Sequence, residues 1–211
     1  MLTGLTRTAT VLPMSPSDAH LSHRDRQRLE TREKLFALAV DEIAASGIDR
    51  ADVRRIAEAA DVARGTFYFH FPAKADVLLE LQRREIDRIV DGLEAAQDAG
   101  VSDVLDRVVT EVLASERRLG ASLFRDMVSV NFGRATSTAE QVETNRLVEY
   151  VAGAATAAQT AGSLREDVDP VEFAAIALIG LFGLLAASRG PSAGRDQLAQ
   201  RYVDTVLRGS R

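Results

Sequence analysis

Between Arg64 and Lys74 the sequence concentrates side chains that could bind an anion or the edge of a base. Guanidinium, hydroxyl, phenol, imidazole and ammonium groups alternate there with phenylalanines. Such groups donate hydrogen bonds to phosphate oxygens and to base edges. Catalytic chemistry is not indicated, because the chain has no Cys and only 3 His, and it shows no metal-ligand spacing, nucleophile elbow or phosphate-binding glycine loop. We therefore expect no catalytic residue, no metal and no cofactor.

Two short predicted helices position this segment. In residues 53–60, apolar side chains recur at i, i+3, i+4 and i+7, which predicts a helix with one buried stripe, and Asp52 before it is a suitable N-cap. A turn at 61–63 leads into a second helix that begins at Arg64. We assign the phenylalanines of this second helix to packing: Phe67, Phe69 and Phe71. The pattern is that of a helix-turn-helix, which can lay its second helix in a major groove, although a plain helical hairpin fits the periodicity equally well.

The N-terminal part consists of an irregular segment followed by a predicted helix. Residues 1–23 mix Thr, Ser, Pro, Gly and Ala without a helical period, so we predict a flexible tail, in which Met14 is an alternative translation start. A helix follows, and Gly47 is suited to end it. Arginines crowd the first turns of this helix: Arg24, Arg26 and Arg28. They fit either an arm that reaches phosphates or a minor groove, or an ordinary solvated helix start.

Composition favours an all-α fold, because Ala, Leu, Val, Glu and Arg recur while aromatic residues make up only 5%. The net charge is −5, yet residues 1–75 carry 11 Lys and Arg against 10 Asp and Glu, so only this part can present a basic face. The longest apolar run, Phe173 to Ala187, is shorter than a membrane span. With no secretory leader pattern, we expect a cytoplasmic protein without membrane association.

The stretch from Asp52 to Lys74 reads DVRRIAEAADVARGTFYFHFPAK. It resembles VRxIAxxAGVSxGTxYxHFxSK, the signature of the tetracycline-repressor-like (TetR) family of transcriptional regulators. The resemblance implies an all-α protein of about nine helices. It implies a three-helix helix-turn-helix DNA-binding domain at 24–75 and a larger helical domain at 76–211 for ligand binding and dimerisation. The expected function is that of a repressor that leaves its DNA operator when a small molecule binds.

The resemblance also assigns DNA contacts within the signature: Arg54, Arg64, Gly65, Thr66, Tyr68, His70 and Lys74. The chemistry agrees, because a bidentate Arg–guanine pair discriminates between bases by about 1–3 kcal/mol and Gly65 lets the backbone approach DNA closely. Each residue has an ordinary alternative, such as a solvated charge for the arginines or a satisfied interhelical histidine for His70. The turn carries Asp61 where the family commonly has Gly, and Asp also adopts the left-handed conformation.

The rest of the chain is predicted to hold a dimer interface, because one short recognition helix buries too little surface for tight specific binding. The helix Val171–Ser188 is apolar nearly all round, so it either packs with the last helix against a second copy or lies inside the subunit core. The candidate interface residues are Leu178, Leu181, Phe182, Leu185, Leu198, Tyr202 and Val206.

The middle helices are predicted to enclose a pocket for an unidentified, largely apolar small molecule. The candidate lining residues are Phe124, Met127, Asn131, Phe132 and Tyr150. Arg125 and Arg146 are candidate partners for an anionic group on such a molecule. Ordinary core packing is the alternative for each of the aromatic residues.

Two other classes of function fit part of the sequence. An all-helical enzyme would need acidic residues of the C-terminal helices to carry its chemistry. A helical binding module that keeps the fold but no longer contacts DNA would lack the steep salt dependence of phosphate binding.

Overall fold

A computed structural model describes residues 22–95, 100–133, 145–188 and 192–210, and in helical residues 131–133 and 192–193 it describes the backbone only. Within these ranges the chain is helical and forms no strand, which confirms the all-α prediction. The predicted tail at 1–23, including Met14, lies outside the described residues apart from Ser22 and His23.

Nine helices are present in the described ranges, as the sequence predicts. Their bounds are α1 His23–Ser46, α2 Val53–Ala60, α3 Arg64–His70, α4 Lys74–Glu94, α5 Val101–Leu119, α6 Ala121–Gly133, α7 Arg146–Thr160, α8 Pro170–Ala187 and α9 Ser192–Gly209.

Local capping explains where the first helices begin and end. The Ser22 hydroxyl accepts from the backbone N–H of Asp25, so the arginines that follow stand in the first turns of α1. Gly47 ends α1 with φ +78°, a conformation that favours glycine. The Asp52 carboxylate accepts from the N–H of Arg54 at 2.8 Å and caps α2. These bounds agree with the sequence prediction.

The helices α1, α2 and α3 share a core with the start of α4. Phe67 and Phe71 are almost fully buried, and their ring centroids lie 5.8 Å apart. Leu35, Phe36 and Ile43 of α1 are buried in the same cluster. This packing fixes which side of α3 is left outside.

Helix α4 connects this unit to the remaining helices. It packs against α1 near the N-terminal unit and against α5, α6 and α7 beyond it. The predicted domain boundary at 75/76 falls in the first turn of α4 and stays a prediction. Within α4, Glu85 is buried and accepts from the Ser115 hydroxyl of α5 at 2.7 Å, with Arg88 and Arg118 as further partners.

Helix α8 is buried on one side only. Phe173, Leu178, Leu181 and Leu185 point into the subunit core, whereas Val171, Ile176 and Ile179 are exposed. By length and composition α8 could cross a membrane, since its mean hydropathy is 2.1, but core helices of soluble proteins pass the same test. Leu178, Leu181 and Leu185, the three predicted dimer leucines on α8, therefore belong to the subunit's own core, because helical period turns their side chains toward α7 and α6.

Candidate nucleic-acid interface

The turn between α2 and α3 is built by one left-handed residue. Asp61 has φ +60° and ψ +46°, which allows the chain to reverse after Ala60. The N–H of Val62 then bonds to the carbonyl of Ala57 at 3.0 Å, and the N–H of Thr66 bonds to that of Ala63 at 2.9 Å. The substitution of Asp for the common Gly thus leaves the turn intact.

One side of α3 faces away from the protein. Arg64 and Tyr68 form a row there, with a guanidinium nitrogen 3.3 Å from the phenol oxygen and the guanidinium carbon 5.5 Å from the ring centroid. The bond to Tyr68 raises the pKa of Arg64, so the charge is retained. Gly65 beside this row is exposed, and a Cβ there would meet no atom within 4 Å. The outward side of α3 is therefore a polar surface, and at Gly65 a ligand can come close to the backbone.

Arg54 on α2 extends the exposed surface. Its side chain is 72% exposed and only loosely paired, at 3.8 Å from Asp52 and 3.9 Å from Glu58. Arg55, by contrast, donates to Glu42 at 2.5 Å and so braces α2 against α1. The guanidinium of Arg54 can therefore exchange weak surface ion pairs for a base or a phosphate.

Two of the predicted DNA contacts are partly enclosed by the protein, His70 and Lys74. His70 is half-buried, and burial together with the charges of Arg28 and Arg32 lowers its pKa. The Nζ of Lys74 donates to the carbonyls of Asp49 at 2.9 Å and Ala51 at 3.2 Å. Lys74 thereby stabilises the loop between α1 and α2.

The assignment of Phe69 to packing is wrong. Its side chain is 66% exposed, whereas Phe67 and Phe71 are buried. The guanidinium carbon of Arg28 lies 5.1 Å from the Phe69 ring centroid, and that of Arg32 lies 4.9 Å from Phe71. Arg28 is thus part of α1 and lies beside α3. This position fits the predicted solvated helix start and not an arm that extends away from the protein.

The predicted pocket residues lie in different surroundings in the structure. Phe124 and Met127 of α6 are buried, and the side chains of Asn131 and Phe132 are outside the described part. Tyr150 lines a cleft of about 570 Å³ between α5 and α7, with Val104 and small residues of α7 around it.

The candidate anion partner Arg146, the first residue of α7, pairs instead with acidic side chains of α4. It pairs with Asp87 and Asp91, each at 3.2 Å, and with Glu94 at 3.5 Å. In the ranges that the structure describes, no group of three or more His, Asp or Glu side chains could hold a metal ion.

These features define an all-helical protein with an outward-facing helix-turn-helix near its N-terminus. Residues 35–81 match the family model of bacterial regulatory proteins, tetR family. Over these residues the chain is similar to the tetR family of bacterial regulatory proteins.

Two curated relatives share the matched region. The HTH-type transcriptional repressor KstR of Rhodococcus jostii is 31% identical over 83 residues, which cover 39% of this chain and 38% of KstR. The fatty acid metabolism regulator protein of Bacillus subtilis is 30% identical over 69 residues, which cover 33% of this chain and 36% of that protein. The matches therefore span less than two fifths of each relative.

Solved structures share the fold over most of the chain. Thermus thermophilus FadR, a TetR family transcriptional repressor in complex with lauroyl-CoA, aligns with a TM-score of 0.63 at 23% identity, over 84% of this chain and 91% of FadR. RolR in complex with resorcinol aligns with a TM-score of 0.65 at 17% identity, over 88% of this chain and 89% of RolR.

Proposed function

We propose that this protein is a sequence-specific DNA-binding regulator, a repressor that leaves its operator when a small molecule binds. The observation that carries the proposal is the row formed by Arg64 and Tyr68 on the outward side of α3, directly after the helix-turn-helix turn. Its proposed activity is binding rather than catalysis, and its proposed place of action is the cytoplasm.

The proposed DNA contacts divide by role. Arg54, Arg64, Gly65 and Thr66 stand near the starts of α2 and α3, where side chains and backbone approach base edges. Tyr68 and His70 stand further along α3 and suit phosphate contacts, which set register rather than sequence. Lys74 acts through the loop that it stabilises, and one of its three ammonium protons is still available for a phosphate.

We propose a two-fold dimer built on the exposed side of α8. Ile176 and Ile179 are 56% and 43% exposed. Large apolar side chains that are exposed together on one helix indicate an interaction surface. Leu198, Tyr202 and Val206 line one side of the neighbouring helix α9 and remain half-buried in the single chain. A second copy would cover both helices, and it would present a second α3 to the next turn of the duplex.

The proposed ligand is a small, largely apolar molecule. The described cleft at Tyr150 is apolar on most of its surface, and Phe124 and Met127 lie on the helix that the N-terminal unit contacts. FadR binds lauroyl-CoA and RolR binds resorcinol, so the shared fold accommodates molecules of different size, each with an apolar part and polar groups. Release of DNA requires that the ligand favour one separation of the two α3 helices over the other.

Operator binding tests the proposal directly. An operator would be selected from randomised duplex DNA and titrated by electrophoretic shift at several salt concentrations. The double substitution Arg64→Ala with Tyr68→Phe should weaken binding at least tenfold, because a base contact of Arg64, worth about 1–3 kcal/mol, is lost together with a phosphate contact of Tyr68.

The control for this experiment is Arg117→Ala, which removes an exposed guanidinium from the last turn of α5, outside the helix-turn-helix. It should leave operator affinity unchanged. Equal affinity of the double variant and the wild type, or binding that does not weaken with salt, would count against a DNA-binding regulator and favour a helical binding module.

A further inference from the structure

We propose that Phe69 reads a thymine in each operator half-site by contact with its C5-methyl group, and that Arg28 holds the ring for this purpose. The inference rests on the proposed DNA-binding function. The Phe69 side chain is 66% exposed. It belongs to a helix of 7 residues in which the other phenylalanine, Phe67, is completely buried.

The position of Phe69 on α3 places it beside the predicted base contacts. Gly65 and Phe69 are one helical turn apart and lie on the same side of α3. Gly65 is exposed and adds no side chain to that side. The neighbouring row carries Arg64 and Tyr68, so the outward surface of α3 has a polar row next to an apolar one.

An apolar row suits one particular feature of DNA. The C5-methyl of thymine is the apolar group that base pairs present in the major groove, and phenylalanine is one of the side chains that contact it. A recognition helix that lies in the groove leaves the bases stacked, so the edge of a thymine rather than its face meets the ring.

The ring is held by its neighbours before DNA arrives. The Arg28 guanidinium lies 5.1 Å from its centroid, and the His70 ring meets it edge-on at 5.1 Å and 80°. A side chain held in one orientation loses less conformational freedom on binding. Arg28 also brings a positive charge next to the ring, where the phosphates that flank a base would lie.

Uracil in place of thymine provides the test, because the two bases differ only in the C5-methyl. Each thymine of the selected operator would be replaced in both half-sites, one position at a time, and bound to the full-length protein. At one position, the replacement of thymine by uracil should weaken wild-type binding by about three- to tenfold, which is the effect of one buried methyl group. Phe69→Ala should weaken binding to the unmodified operator by a similar factor, and uracil at that position should then have no further effect.

Leu29→Ala provides the matched control, because Leu29 on α1 is also exposed, at 49%. It should leave affinity and uracil sensitivity unchanged, and thermal unfolding should show both variants folded. Full uracil sensitivity in Phe69→Ala, or an operator in which no thymine methyl matters, overturns the inference while salt-dependent wild-type binding keeps the proposed function. If selection enriches no sequence, the proposed function fails and the inference fails with it.

Discussion

The Oδ2 atom of Asp126 accepts a hydrogen bond from the backbone N–H of Ile48 at 3.0 Å, across 78 positions of sequence. Asp126 belongs to α6, and Ile48 follows the glycine that ends α1. The bond therefore ties the proposed ligand-binding helices to the loop that leads into the helix-turn-helix. A shift of α6 would move this loop or break the bond, so the pair is a direct mechanical link between the two parts.

Asp126→Ala should loosen this link, because it leaves a half-buried N–H without its acceptor. We expect the free energy of unfolding to fall by about 1 kcal/mol and operator affinity to fall several-fold. Asp126→Asn keeps an acceptor oxygen and should retain most of both. Chemical denaturation and DNA titration measure the two quantities. Equal losses in the two variants would show that the negative charge, not the acceptor, supports the loop.

A second link between the parts is ionic. Glu80 of α4 lies 2.9 Å from Arg84, 3.0 Å from Arg83 and 3.6 Å from Arg32 of α1. Burial raises the pKa of Glu80, but the hydrogen bonds from Arg83, Arg84 and Arg32 outweigh it and lower the pKa to about 2. The carboxylate thus stays charged where it joins α1 to α4.

This lowered pKa predicts a pH dependence of stability. Since the folded value lies below the ordinary value of 4.5, the stabilisation is present above pH 4.5 and is lost as the pH falls toward 2. Glu80→Gln should therefore be less stable than the wild type at pH 7, and the two should converge at low pH. Thermal unfolding between pH 2.5 and pH 7 measures the difference. Parallel curves across this range would show that Glu80 adds no pH-dependent stability.

The lowered pKa of His70 predicts a second pH effect, in a higher pH range than that of Glu80. Burial lowers its pKa below 6.5, and the charges of Arg28 and Arg32 add to this. Below pH 6.5 the unfolded chain therefore binds a proton that the folded protein does not, and stability decreases as the pH falls. A phosphate near His70 would favour the charged form, so operator binding should tighten over the same interval.

His70→Gln should lose both effects, because the amide does not titrate. Unfolding and operator binding measured from pH 7.5 to pH 5.5 test the pair of expectations. Binding by the wild type that stays constant over this interval would remove His70 from the phosphate contacts.

Local signals in the sequence predicted the two short helices and the turn between them, and the resemblance to the TetR signature favoured a helix-turn-helix over a plain hairpin. The cap at Asp52, the glycine at Gly47 and the apolar period of α2 act within a few residues, so they do not depend on the rest of the fold. Asp61 adopts the left-handed conformation that the turn requires, as predicted from its side chain. The paired exposure of Arg64 and Tyr68 follows once the opposite side of α3 is buried.

The surroundings of an exposed side chain, and exposure within a uniformly apolar helix, could not be predicted in this way. In α3, helical period turns Phe69 away from the side that carries Phe67, but it does not show that Arg28 of α1 lies beside the exposed ring. In α8 nearly every residue is apolar, so the sequence does not indicate that Leu181 faces the core and Ile179 the outside. The packing of neighbouring helices makes both choices.

Gly180 of α8 and Tyr202 of α9 are in close contact. The phenol of Tyr202 crosses α8 and donates to the carbonyl of Ile176 at 2.9 Å. A Cβ at Gly180 would lie 1.9 Å from the phenol oxygen and 2.5 Å from the ring carbon that bears it. Gly180→Ala must therefore displace Tyr202 from the exposed side of α8, where we place the dimer interface.

We expect Gly180→Ala to weaken dimerisation in sedimentation experiments, whereas Gly153→Ala, which meets open space on α7, should leave it unchanged. The double variant Gly180→Ala with Tyr202→Ala separates the causes. If displacement of the ring is responsible, adding Gly180→Ala to Tyr202→Ala causes little further loss, because the clash is already gone. Additive losses would indicate that the backbone of α8 itself is disturbed, and an unchanged dimer in Gly180→Ala would place the interface elsewhere.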